Sequence, residues 1–71
     1  MDSTDFYLTP MTMSYFFLEA LEKNGFAFPQ GWRSHQQNVE ALLEDGKVVS
    51  IHVDASNQIV VEDITEEAAS A

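Results

Sequence analysis

Two alternating apolar runs around a cluster of turn formers constrain this chain more than any other feature. Val49, Ile51 and Val53 share one face of an extended segment over Lys47 to Val53. Ile59 and Val61 share one face of a second, over Gln58 to Ile64. Asp54-Ala55-Ser56-Asn57 between them are residues that favour turns. A loop of three or five residues puts both apolar sets on the same side of a hairpin. A loop of four would pair Val53 with Gln58 and Val49 with Glu62, mixing the faces, so the odd loop is expected. The opposite face then carries Val48, Ser50, His52, Gln58, Val60 and Glu62. A lone hairpin is marginal in water, so its apolar face needs cover.

Helices are the expected cover. Thr9-Pro10 reads as a helix start, with a hydroxyl to cap free N–H groups and a proline suited to the first position. A first helix is predicted over Pro10 to Asn24, with Gly25 as the left-handed residue that ends it. Its polar stripe is Thr12, Glu19 and Lys23. Met11, Met13, Phe17, Leu18, Ala20 and Leu21 lie opposite, flanked by Tyr15 and Phe16, a wider arc than a surface helix needs. The helix is therefore either the centre of the core or, through Met13, Tyr15 or Phe16, a contact for a partner or a second copy. Ser34-His35-Gln36-Gln37 matches a capping box and predicts a second helix over His35 to Asp45, ended by Gly46, with Val39, Leu42 and Leu43 as its apolar stripe. Asp5-Phe6-Tyr7-Leu8 is a candidate third strand.

The expected fold is a small two-layer α+β domain over residues 1–64, two helices on an antiparallel hairpin, in the order β-α-α-β-β if the N-terminal strand joins. Thr65 to Ala71 hold no large apolar anchor and are expected to be a flexible acidic tail or at most a nascent helical turn. Gly25 to Trp32 read as a loop, with Phe28 pushed extended by Pro29. Trp32 on that loop either folds back to cap the core or stands out as an interface anchor. Phe26 and Phe28 flank the same loop and make an aromatic cluster with it, buried or exposed.

Charge narrows the function classes. The 71 residues carry 12 Asp+Glu against 3 Lys+Arg, a formal −9, which argues against direct binding to nucleic acid or to anionic membranes. At 45 % hydrophobic, the chain is too apolar for an acidic disordered segment. No cysteine means no disulfide, thiol nucleophile or thiolate ligand. The N-terminus lacks a basic region and a following apolar run, so a cytoplasmic protein is expected.

Chemistry-bearing patterns are weak. His35 and His52 are the only histidines and lack the close spacing of metal-binding pairs, so no metal and no cofactor are expected. The segment from Asp54 superficially suggests a calcium loop, but Ile59 stands where glycine is required and Thr65 where the bidentate glutamate is required. The carboxylate pairs Glu19/Glu22, Glu44/Asp45, Glu62/Asp63 and Glu66/Glu67 fall on polar stripes or element ends, where acid–base catalysis gains nothing.

The remaining reading is a non-enzymatic interaction module. A small acidic inhibitor or adaptor would dock on the basic, nucleic-acid-handling surface of a larger protein and mimic the phosphates it normally takes. Phage-encoded inhibitors of host defence or transcription, anti-CRISPR-like proteins among them, are often of this size and charge, a likeness of type and not of sequence. Glu40, Glu44, Asp45, Glu62 and Asp63 are the candidate partner-binding acids, with Trp32 or Tyr15 as apolar anchor. The alternative is a structural homodimer through Met13, Tyr15 and Phe16.

Overall fold

The structure, a computed structural model, describes residues 8–70, except for the side chains of His35 and residues 68–70. A 3₁₀ turn over Pro10–Thr12 leads into α1 (Tyr15–Lys23). Among the described residues four strands follow, β1 (Pro29–His35), β2 (Asn38–Leu43), β3 (Val48–Val53) and β4 (Ile59–Asp63), and α2 (Thr65–Ser70) comes last. The strands form one antiparallel meander in the order β1-β2-β3-β4. This is a small α+β fold, but with α-β-β-β-β-α order rather than two helices preceding a hairpin.

The β3–β4 hairpin has the register that its apolar alternation demands. Val53 pairs with Ile59 and Ile51 with Val61, leaving the five residues Asp54 to Gln58 as the loop. Asp54 Oδ1 holds that loop by accepting from the Ser56 N–H and hydroxyl and from the Gln58 N–H, at 2.9, 2.7 and 2.9 Å.

The predicted second helix is instead the end of β1, the whole of β2 and the turn that follows it. As a helix it would bury three apolar side chains on one stripe. As a strand it places Val39, Ala41 and Leu43 on one face. Ala41 and Leu43 are then fully buried, and Val39 and Ala41 pair with Ile51 and Val49. Tertiary pairing overrides the helix propensity of Glu40 to Glu44. Gln36 and Gln37 make a two-residue connection between His35 and Asn38, so Ser34 to Gln37 is no capping box.

The predicted loop from Gly25 to Trp32 also turns out differently, because its second half is the start of β1. Asp5 to Tyr7 lie outside the described residues, while Leu8 makes a single bridge to Trp32. The first helix is shorter than expected. Met13 and Ser14 are extended, at ψ 145° and 134°, and break it in two. The break lets Met13 point into the core at 5 % exposure, whereas Met11, at 95 %, stands in solvent. Gly25 does end the helix, at φ +78°: its N–H bonds the Glu22 carbonyl and the Phe26 N–H bonds that of Leu21.

One face of the sheet carries the core, where Ala41, Leu43, Val49 and Ile51 meet Met13 and Leu21. Phe17, Leu18, Phe26, Trp32, Val39, Ile59 and Val61 surround them. On the other face, Arg33, Glu40, Ser50 and Glu62 form one continuous cross-strand row. Residues 65–70, expected as a frayed tail or nascent turn, are helical. Thr65 Oγ1 accepts from the Val48 N–H at 3.0 Å and ties α2 to β3. No helix among the described residues is long and apolar enough to cross a membrane.

Candidate functional site

The predicted anchors and acids fall into three groups. Trp32 belongs to the frame. It pairs with Ala41 in the sheet, and its indole N–H donates to the Thr9 carbonyl at 2.9 Å and the Thr12 hydroxyl at 3.1 Å. Its N–H and ring thus fasten the 3₁₀ turn to β1, and it is not an outward anchor. Met13 is buried and leaves the list of interface residues.

Glu40 is likewise not a free surface acid. The Arg33 guanidinium reaches Glu40 Oε1 through Nε at 2.9 Å and Nη2 at 2.8 Å, with only 14 % of the Glu40 side chain exposed. The cross-strand pairing of Arg33 with Glu40 creates this contact, which no helix over His35 to Asp45 could form. Glu62 is exposed at the β4 end of the same row.

The other acids gather at one end of the sheet. Glu44 and Asp45 occupy the β2–β3 turn, and Asp63, Glu66 and Glu67 sit where β4 passes into α2. The two groups meet across Lys47, whose N–H donates to Asp45 Oδ1 at 3.1 Å and which shares a surface hollow with Asp63, Glu66 and Glu67. Five acidic residues therefore gather at this end of the sheet, three of them lining one hollow with Lys47. Of the other cations, Lys23 pairs with Glu19 at 2.8 Å and Arg33 with Glu40. Asp63 Oδ1 accepts from the Thr65 hydroxyl at 2.6 Å and N–H at 2.9 Å, which holds its carboxyl below the ordinary carboxylate value. Asp63 therefore keeps its charge to a lower pH than an ordinary aspartate does.

The second exposed feature is apolar. Tyr15 and Phe16 are 72 % and 70 % exposed and meet edge to face with centroids 6.4 Å apart. On the Tyr15 side, α1 and the chain returning to β1 enclose an open groove of about 420 Å³, lined by Tyr15, Leu18, Phe26 and Phe28 with Glu19 and Glu22 along the helix. Phe28 is 55 % exposed. Its carbonyl accepts from the Glu44 N–H at 2.9 Å, so the groove adjoins the acidic end of the sheet.

Sequence patterns named Tyr15, Glu44, Asp45 and Asp63 here, but not the groove beside them. Leu18 and Phe26 read as core or loop, and Glu66 and Glu67 as a tail. The one available signal was Phe28-Pro29, in which the proline holds the backbone of an aromatic residue extended. Among the described residues, no three His, Asp or Glu side chains converge as a metal site requires. Compared with protein-family models, with curated proteins and with solved structures, the chain matches none of them.

Proposed function

We propose that this protein is a non-enzymatic binding module, an acidic inhibitor or adaptor that docks on the basic surface of a larger cytoplasmic protein. The observation that carries this reading is the concentration of Glu44, Asp45, Asp63, Glu66 and Glu67 at one end of the sheet, where the β2–β3 turn lies beside the β4–α2 junction. Carboxylates grouped on one rigid end give a directed field, which steers encounter with a positive surface and sets orientation. Surfaces that bind nucleic-acid phosphates are the natural counterpart.

The test is competition. The protein is expected to displace DNA from the captured partner at about 0.1 M salt and to lose its grip at about 1 M, where the screening length falls from roughly 10 Å to roughly 3 Å. Reversing Glu44, Asp45 and Glu66 to lysine abolishes displacement in this reading. Ala55→Lys, in the exposed β3–β4 loop at the opposite end of the sheet, does not. Equal loss from both sets, or binding indifferent to salt, rejects the proposal.

The exposed Tyr15–Phe16 pair favours a second reading, a homodimer across the start of α1. Such a dimer would dissociate on dilution and barely respond to salt, which sedimentation at several concentrations reads directly.

A further inference from the structure

We infer that the groove between α1 and the Phe26–Pro29 segment receives a partner segment in which an arginine neighbours a large apolar side chain. This rests on the acidic-module reading above and names where its apolar contact is made. Three observations converge on it. The groove is lined by Tyr15, Leu18, Phe26 and Phe28, and Tyr15 and Phe28 stand mostly in water. Burying them is favourable, and aromatic side chains at such positions are the type that dominates binding energy. The helix side of the rim carries Glu22 beside the Glu19–Lys23 pair, and Glu44 is adjacent in the fold, its backbone N–H bonded to the Phe28 carbonyl. Glu22 and Glu44 form no ion pair among the described residues.

That combination discriminates between occupants. A second copy related by a two-fold axis would set the same glutamates against each other around a shared apolar patch. An uncharged apolar segment would fill the groove and leave the rim without counter-charges. Arginine satisfies both features at once, because its planar guanidinium stacks on aromatic faces while pairing with carboxylates. Its apolar neighbour then enters the groove.

The experiment titrates the full chain, labelled for amide NMR, with three synthetic peptides. One carries alternating arginine and leucine, the second replaces each leucine by serine, and the third replaces each arginine by glutamate. The first peptide should shift the amides of Tyr15, Leu18, Glu22, Phe26, Phe28 and Glu44, and bind at least about tenfold more tightly than the second. Phe28→Ser, at an exposed position, should keep the dispersed spectrum of the folded chain and weaken the first peptide by about tenfold while leaving the second unchanged. Equal binding of the first two peptides, with shifts confined to Asp45, Asp63 and Glu66, overturns the groove inference and leaves the acidic-module reading standing. No binding of either basic peptide brings down both. Concentration-dependent shifts at Tyr15 without peptide would assign the groove to a second copy and overturn the inference as well.

Discussion

The two outer hairpins of this sheet hold their registers by different means. In β3–β4 the loop adds its own hold to the apolar alternation: Asp54 accepts three hydrogen bonds from Ser56 and Gln58, and Asn57 takes the left-handed conformation at φ +66°. In β1–β2 the loop is strained, with Gln36 at φ +57° and no glycine to relieve it. Its register is held by the strands instead, through the Arg33–Glu40 pair, the buried Ala41 and Leu43, and the Trp32 bonds to the 3₁₀ turn. One hairpin is specified from its tip and the other along its length. A change at the tip should therefore hurt the first, and a change along the strands should hurt the second.

The largest effect is expected where the two hairpins share a core. Ile51 is fully buried and pairs with both Val39 and Val61, so Ile51→Ala removes packing from both hairpins at once. The cost is about 2–5 kcal/mol. A domain of this size holds only a few kcal/mol of net stability, so thermal unfolding should show little or no folded population. A variant retaining most of the wild-type melting temperature would mean that the hairpins are stable separately.

Trp32→Phe probes β1–β2 alone. It keeps an aromatic ring against the core and removes the N–H that reaches Thr9 and Thr12. The expected loss is about 0.5–1.5 kcal/mol. Amide exchange should accelerate at Leu8 to Thr12 and along β1, and stay unchanged at Asp54 to Gln58. Faster exchange spread equally over both hairpins would break the comparison.

The same contrast explains what could be read in the chain and what could not. The β3–β4 hairpin was legible because its information is local: alternation of Val49, Ile51 and Val53, turn formers at Asp54 to Asn57, then Ile59 and Val61. Gly25 was legible as a helix end for the same reason. The β1–β2 hairpin was illegible because Gln36-Gln37 carries no turn signature, and Glu40-Ala41-Leu42-Leu43-Glu44 is as good a helix as a strand until β3 is beside it. The break at Met13–Ser14 follows from Met13 turning into the core, which periodicity cannot foresee. The site suffered correspondingly. Tyr15, Glu44, Asp45 and Asp63 were named from helix position and charge and are exposed, but Glu40 could be placed in an ion pair only once Arg33 lay across from it.

Acid should act on the tips. Hydrogen bonds from Gln58 and Ser56 hold the Asp54 carboxyl below its ordinary value of 3.8, and those from Thr65 do the same for Asp63. A carboxyl lowered in the folded state contributes stability that is present above its unfolded value and lost as pH falls through the folded one. The acid limb of the melting curve should therefore lie below pH 3.8, and Asp54→Asn should flatten part of it while lowering stability at neutral pH. An acid limb identical in Asp54→Asn and wild type would show that the loop does not hold this hairpin.

The smallest effect is a gain. Gln36 occupies the first of two central turn positions with positive φ, a conformation that favours glycine. Gln36→Gly relieves the strain on the L side chain but gives the unfolded chain more freedom, and the two partly cancel. The net is a stabilisation of about 0.5 kcal/mol, small because the strands already fix the register that the turn opposes. Placing the same change at Asn57, Asn57→Gly, should gain less, since asparagine tolerates the left-handed region better than glutamine does. If Asn57→Gly proved the more stabilising of the two, the strain would lie in the β3–β4 tip. The assignment of a tip-specified and a length-specified hairpin would then have to be reversed.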